Sequence, residues 1–294
     1  MAELSNLRIG NGDAFLKLPN GTTAERPSSL VNGQIRVDER GVEEVYSSGW
    51  KKQPKYVEDG LQCYLDAGLS ESYESNRSSP VTHRTWYDIS GNGRNYVWGN
   101  NPTFFRNGNL AFFNCLGNRA TGPASNSFGI NNTSGYTLFH VSLTYAYSSN
   151  AVYKFYTSLG SDDASPTSTS RGIFAHPGWT VGNYYFDQGG CCDPDQRTDV
   201  PLGNIFKKWT VYCARSTIAT RSIFTDGIRQ AHNTTAAADV DLGADAAHLG
   251  GSDEYGGASS LWSGYLSAWM VYNRGLSDEE VIQNTNYLNR RFMT

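Results

Sequence analysis

Tyr136-Thr137-Leu138-Phe139-His140-Val141-Ser142-Leu143-Thr144-Tyr145 is the stretch from which the fold can be read. Two sets of side chains alternate along it. Leu138, His140, Ser142 and Thr144 point one way; Thr137, Phe139, Val141, Leu143 and Tyr145 point the other. A period of two is that of an extended strand, and this pattern predicts one half buried in an antiparallel sandwich. The texture continues on both sides. Runs near Leu61–Asp66, Leu110–Phe113, Val152–Leu159, Trp179–Phe186, Trp209–Arg215, Arg221–Thr225 and Gly264–Tyr272 alternate with Gly, Asn and Ser turns. Asp226-Gly227, between Ile223-Phe224-Thr225 and Ile228-Arg229-Gln230, is a two-residue hairpin signal.

The composition points the same way. Of 294 residues, 31 are Gly, 13% are aromatic and only 18% are charged, which suits a β-rich fold with long polar loops rather than a helical bundle. The formal charge of −4 disfavours a nucleic-acid partner held by a basic face. No 18-residue apolar run exists, so no membrane insertion is expected. Met1 to Ser5 show no charged segment followed by an apolar one, so no export signal is expected. The cysteines, Cys63, Cys115, Cys191, Cys192 and Cys213, are odd in number. That argues against a secreted disulfide framework and for a chain made in a reducing cytoplasm.

Three regions are expected. Residues 1–20 read as an N-terminal docking arm. Residues 21–56 read as a small β-meander, with Asn32-Gly33 and Ser48-Gly49 as turns and short strands at Gln34 to Val37, Glu44 to Tyr46 and from Trp50. A segment this small cannot bury a core alone and should pack on neighbours or on copies of itself. Residues 57–294 form the sandwich, which ends in a helix. Ser277 and Glu280 make a capping box, Asp278 and Glu279 suit the positive helix end, and Val281, Thr285, Leu288 and Phe292 form one stripe. The expected fold class is therefore all-β: an antiparallel jelly-roll sandwich with a short C-terminal helix and a small N-terminal β-module.

Three ordered segments resemble the concanavalin A-like, laminin-G-like jelly-roll superfamily in its phage form. Gly60-Leu61-Gln62-Cys63-Tyr64-Leu65-Asp66-Ala67-Gly68 looks like its first strand. Trp86-Tyr87-Asp88-Ile89-Ser90-Gly91-Asn92-Gly93 looks like its W-x-D-x-S-G-N-G loop. Trp262-Ser263-Gly264 through Met270-Val271-Tyr272-Asn273-Arg274-Gly275-Leu276-Ser277-Asp278-Glu279-Glu280 looks like its last strand and capping helix. Residues 21–56 resemble a module of phage fibres and virion-surface proteins, on the string G-T-T-A-E-R-P-S-S-x-V-N-G-Q-I-R followed by a Gly, a Tyr and a Trp; Leu30 replaces a frequent second Pro. Such modules often trimerise, and three copies sharing one core would solve the burial problem.

The resemblance implies candidate sites. Sugars bind on flat aromatic faces edged by polar groups, which nominates Trp98, Trp179, Tyr184, Tyr185 and Trp262, in or near expected loops; for each, a core or trimer contact is the rival role. Trp209 and Trp269 fall within strand patterns and are expected in the core. A rim Ca2+ would need six to eight oxygens, drawn from Asp88, Asn92 and Asn95, or from Asp253 and Glu254. The favoured rival is that Asp88 caps a turn and Gly91–Gly93 supply positive φ. Cys191-Cys192 form a vicinal disulfide, bond separately elsewhere, or are two small, partly buried thiols.

Retaining glycoside hydrolysis needs two carboxyls about 5 Å apart. No Glu-x-Asp-x-x-Glu string occurs, Glu is absent from residue 75 to 253, and the pairs Asp162-Asp163, Asp193 with Asp195 and Asp239 with Asp241 sit in loop-like sequence. No G-x-S-x-G and no metal-binding His spacing is present. The expectation is a non-enzyme: an exterior structural protein of a phage virion (fibre, appendage or capsid decoration), homotrimeric and bound to other virion proteins through residues 1–56. Its lectin-like domain would bind surface glycans. A cellular adhesion lectin is the alternative, and a glycan hydrolase ranks below it.

Overall fold

The computed structural model describes residues 20–21, 35–38, 43–46, 50–52, 56–73, 84–107, 110–131, 134–146, 151–156, 172–178, 182–190, 193–217, 219–236, 240–251 and 261–292. The chain divides into two compact units, Met1–Lys55 and Tyr56–Thr294. In the first, strands β1 (Asn20–Gly21), β2 (Ile35–Asp38), β3 (Glu43–Tyr46) and β4 (Trp50–Lys52) form one sheet in that order. β2, β3 and β4 pair antiparallel, Ile35 opposite Val45 and Val45 opposite Lys51, whereas β1 runs parallel to β2.

The second unit is a sandwich of two antiparallel sheets closed by one helix. Its strands are β5 (Leu61–Asp66), β6 (Thr85–Trp86), β7 (Tyr96–Trp98), β8 (Thr103–Asn107), β9 (Leu110–Asn114), β10 (Ala120–Ala124), β11 (Tyr136–Thr144) and β12 (Tyr153–Phe155). They continue with β13 (Ile173–Pro177), β14 (Asn183–Gln188), β15 (Arg197–Pro201), β16 (Thr210–Ser216), β17 (Arg221–Thr225), β18 (Ile228–Asn233), β19 (Ala246–Leu249) and β20 (Gly264–Tyr272), and then helix α1 (Asp278–Phe292). The front sheet has the order β15-β14-β13-β12-β19-β10-β7-β6. The back sheet has the order β18-β17-β16-β11-β20-β9-β8, with β5 also paired to β20. Sequential hairpins make up the flanks of each sheet, while the centres join distant segments, β12 with β19 and β10 in one and β11 with β20 and β16 in the other.

Several elements follow directly from local sequence. The hairpin between β17 and β18 turns on Asp226 and Gly227, both at positive φ (48° and 80°), the conformation of a type I′ turn. The capping box forms as expected: Ser277 N donates to Glu280 Oε2 (2.8 Å) and Glu280 N donates to Ser277 Oγ (3.2 Å). Val281, Thr285, Leu288 and Phe292 are all buried.

One expectation is corrected. The strand read as half buried, β11, is buried on both faces, with only Leu143 partly exposed. Leu138 belongs to the core between the sheets, with Trp86, Trp98, Phe113, Tyr184 and Trp269. Phe139 and Val141 belong to a second core, which the back sheet shares with Val281, Leu288 and Phe292 of α1. A central strand covered by a sheet on one side and a helix on the other has no wet face. Its apparently polar set, His140, Ser142 and Thr144, therefore points into the sandwich, where these residues are at most 1% exposed.

Candidate functional site

The structure redistributes the residues nominated as sugar contacts. Trp98 and Trp262 are 0% exposed and Tyr184 is also 0% exposed, so none of the three can stack on a ligand. Alternation explains the error for Trp98, which ends β7 facing Phe113 at 4.7 Å between ring centroids. It also explains Tyr184, whose hydroxyl lies 3.1 Å from His140 Nε2 in the core. Trp262 donates its indole N–H to Pro177 O across the sandwich (3.3 Å). Tyr185, one residue from Tyr184, is on the outer face and half-buried. Trp179, Asp253, Glu254, Cys191 and Cys192 lie outside the described residues, as do Asp162-Asp163.

In the Gly-rich loop the carboxylate and amides named as rival calcium ligands are engaged in hydrogen bonds. Asp88 Oδ1 accepts from Tyr64 N and Ser90 N, and Oδ2 accepts from Ser90 Oγ and Arg94 N, each at 2.9 Å. Four donors occupy the lone pairs that a cation would need. Asn95 Oδ1 accepts from Asp88 N (2.9 Å), and Asn92 Nδ2 donates to Leu61 O (3.0 Å). The loop is a hydrogen-bonded clasp on β5, with Gly91 and Gly93 at φ 92° and 70°. Among the described residues no group of three or more His, Cys, Asp or Glu is placed to hold a metal ion. Cys63, Cys115 and Cys213 are buried thiols, pushed up in pKa by that burial.

The chemistry-bearing side chains gather on the outer face of the front sheet. Cross-strand pairing aligns His248 with Lys154, Lys154 with Phe174, Phe174 with Asp187 and Asp187 with Arg197. The result is one row across β19, β12, β13, β14 and β15. A second row, two residues along, pairs His176 with Tyr185 and Tyr185 with Asp199. Most of the first row is buried, Asp187 wholly and Lys154 to 2% exposure. Buried charges must be paired. Arg197 grips Asp187 with two parallel N–H bonds of 2.6 Å, and Lys154 Nζ lies 4.7 Å from the Tyr156 ring centroid.

The accessible end of this face is at β14 and β15. The Arg197 guanidinium sits 4.2 Å over the Tyr185 ring, and Asn183 Nδ2 donates to Asp199 Oδ2 at 2.8 Å. Burial, then the Asp199 carboxylate, holds the Tyr185 phenol above its ordinary pKa, so at neutral pH it is a hydroxyl that can donate and accept. Two of the five guanidinium donors serve Asp187. The group thus offers an aromatic ring, a clamped guanidinium, an amide and a carboxylate on one surface. Arg197, Asp187, Lys154 and His248 were missed in the sequence. The local signal was a lone charge at the outward position of an apolar strand, as in Tyr184-Tyr185-Phe186-Asp187, but the row exists only through pairing of five separated segments.

No protein-family profile matches the chain, and no curated protein sequence matches it. Solved structures do. The Trypanosoma rangeli sialidase superposes with a TM-score of 0.52 at 14% identity, over 79% of this chain and 33% of the sialidase. The chain thus spans about a third of that enzyme. Domain 4 of AbnA, a GH43 extracellular arabinanase from Geobacillus stearothermophilus, in complex with arabinotriose, superposes with a TM-score of 0.52 at 13% identity, over 76% of this chain and 98% of the domain. The binding domain of Paraclostridial Mosquitocidal Protein 1 gives 0.55 at 13% identity, over 79% and 53%. At these identities the likeness is one of fold alone: an antiparallel β-sandwich consistent with a jelly roll. The expectation of a non-enzyme is corrected by the same comparisons, since the sialidase and the arabinanase are enzymes.

Proposed function

We propose that the sandwich is a glycan-binding domain of the kind built into glycan-acting proteins, with its ligand on the outer face of the front sheet around Tyr185. The arrangement of Tyr185, Arg197 and Asp187 carries the reading: an amphipathic ring and a pre-oriented guanidinium on rigid strands, edged by Asn183 and Asp199. The fold shared with an arabinotriose-bound domain and with sialidases supports sugars as the ligand class. The test is calorimetric titration of the full chain with arabino-oligosaccharides and with sialylated oligosaccharides. One of the two is expected to bind, and Tyr185→Ala, at a half-buried surface position, is expected to weaken it at least tenfold. Equal binding by wild type and Tyr185→Ala, or no binding of either glycan class, would remove the site. Release of reducing ends during the titration would add a catalytic role to the binding one.

We infer further that residues 1–56 attach this domain to the exterior of a phage virion as a homotrimer. What supports this is the sequence resemblance of residues 21–56 to virion modules, together with strands of only two to four residues, too short to stand without neighbours. Light scattering on the full chain is expected to give three copies, and the fragment 57–294, which holds both hydrophobic cores, is expected to be a monomer. A monomeric full chain would sink the assembly reading and leave the glycan site standing.

A further inference from the structure

The loop between β6 and β7 lies along the edge of β5 that β20 leaves unpaired. Its groups meet that edge one after another. Asp88 Oδ1 accepts from Tyr64 N (2.9 Å), and Ile89 N donates to Tyr64 O (2.9 Å). Asn92 Nδ2 donates to Leu61 O (3.0 Å), and Arg94 Nη1 donates to Gln62 O (2.9 Å). An edge strand whose backbone groups are satisfied in this way is closed to pairing with other chains.

One dipeptide of this clasp is open to chemistry. Gly91, Asn92 and Gly93 are exposed. Gly93 holds φ 70°, and a Cβ at Gly91 or at Gly93 would meet nothing within 4 Å. The Asn92 amide is engaged through its nitrogen, which donates to Leu61 O (3.0 Å), Ser90 Oγ (3.1 Å) and Gln62 O (3.3 Å). Among the described residues no donor reaches Asn92 Oδ1, and the Gly93 N–H reaches no acceptor. A carbonyl carbon and the backbone nitrogen able to attack it thus belong to successive exposed residues, and the glycine has no side chain to hinder the approach. Asp226-Gly227 is the contrast. There the carboxylate accepts from Val211 N (2.9 Å), and Thr285 stands 3.5 Å from where a Gly227 Cβ would be.

We propose that Asn92-Gly93 is a self-modification site, at which deamidation unfastens the clasp on β5. Hydroxide removes the Gly93 amide proton, and the electron pair left on nitrogen attacks Asn92 Cγ. A C–N bond closes a five-membered succinimide ring and the Cγ–Nδ2 bond breaks. Nδ2 leaves as ammonia with a proton from water, which restores the hydroxide. Water then opens the ring at Cγ to give Asp, or at the Asn92 backbone carbonyl carbon to give isoaspartate. Either product replaces an N–H donor by a carboxylate facing two acceptors, Leu61 O and Gln62 O. Isoaspartate also adds a methylene to the main chain between Ser90 and Arg94, whose Oγ and N–H both close on Asp88 Oδ2 at 2.9 Å.

The full chain, incubated at constant temperature at several pH values above neutrality, is mapped by peptide mass spectrometry, with isoaspartate read by an isoaspartyl methyltransferase. The peptide holding Asn92 is expected to gain the mass difference between OH and NH2, at a rate rising about tenfold per pH unit as hydroxide catalysis requires. Conversion is expected to be several-fold faster than at Asn183 or Asn233, which precede Tyr and Thr. Converted chain and Asn92→Asp are expected to unfold at lower denaturant than fresh wild type. Asn92→Gln keeps the amide but would have to close a larger ring, and is expected to stay unconverted. Chain held unfolded in guanidinium gives the reference rate. An Asn92 that converts in the unfolded chain but stays intact in the folded one overturns the proposal, because the bonds at Nδ2 would then hold the amide away from Gly93. An unchanged unfolding midpoint in the converted chain also overturns it, since the clasp would then survive the modification.

Discussion

Unfolding titrations are expected to show this protein losing stability as pH falls from about 6.5 toward 3, with His140 as a principal cause. The ring is wholly buried, and burial pulls its pKa down to about 3. Nδ1 lies 2.9 Å from Ser142 Oγ and Nε2 lies 3.1 Å from Tyr184 Oη. The ring also stacks on Tyr212 at 4.8 Å. A neutral imidazole donates at one nitrogen and accepts at the other, so both contacts suit the uncharged form. In the unfolded chain the same histidine titrates near 6.5. Between the two values the unfolded state holds one more proton than the folded one, so stability falls with pH at up to about 1.4 kcal/mol per unit from this residue, roughly 5 kcal/mol in all. Above about pH 6.5 the contribution is constant. Denaturant midpoints for wild type and His140→Gln between pH 7 and 4 are the measurement. The variant is expected to start lower and to show a distinctly shallower slope. Parallel curves would mean that His140 does not titrate in the way its surroundings require.

Phe113→Ala is expected to cost about 3–5 kcal/mol, while Phe112→Ala, one residue away on the same strand, costs well under half of that. Phe113 is 0% exposed. Its ring centroid lies 4.7 Å from those of Tyr73 and Trp98, 4.8 Å from Trp86 and 5.3 Å from Phe104. Removing it opens a cavity walled by rigid rings that cannot collapse inward, the condition under which large-to-small changes cost most. Phe112 faces outward, and water fills the space that its loss leaves. Guanidinium denaturation of the two variants checks the contrast. Equal losses would mean that the alternation of β9 is misassigned.

Much of the architecture is legible in short windows. The Asp226-Gly227 hairpin, the Ser277 to Glu280 capping box and the buried stripe of α1 are local devices, each specified within a few residues. The strands at Leu61–Asp66, Arg221–Thr225 and Gly264–Tyr272 have clear apolar runs bounded by turns. β6, β7 and β19, of two to four residues, do not. Such strands are too short for periodicity to register, and they persist because neighbours in the sheet supply their hydrogen bonds.

The sites were far less legible. Trp98, Tyr184 and Trp262 read as loop aromatics and are core. Trp209 read as core and packs, half-buried, against the second core. In a sandwich a shift of one residue exchanges inside for outside, and near a strand end the sequence gives no mark of where the alternation begins. Asp88 shows the same limit from another side. The motif around it is plain in the sequence, but only the four donors converging on its carboxylate decide that it clasps backbone rather than a cation.

The amino-acid sequence by itself determined that the chain is antiparallel β with a capped terminal helix, because period, turn chemistry and caps act over a few residues. Tertiary structure alone decided which aromatics are wet, which strand is covered twice, and that His248, Lys154, Phe174, Asp187 and Arg197 stand in one row. Those outcomes depend on register between segments up to about a hundred residues apart. Such register is set by the simultaneous burial of both sheets and the helix, not by anything local to the residues concerned.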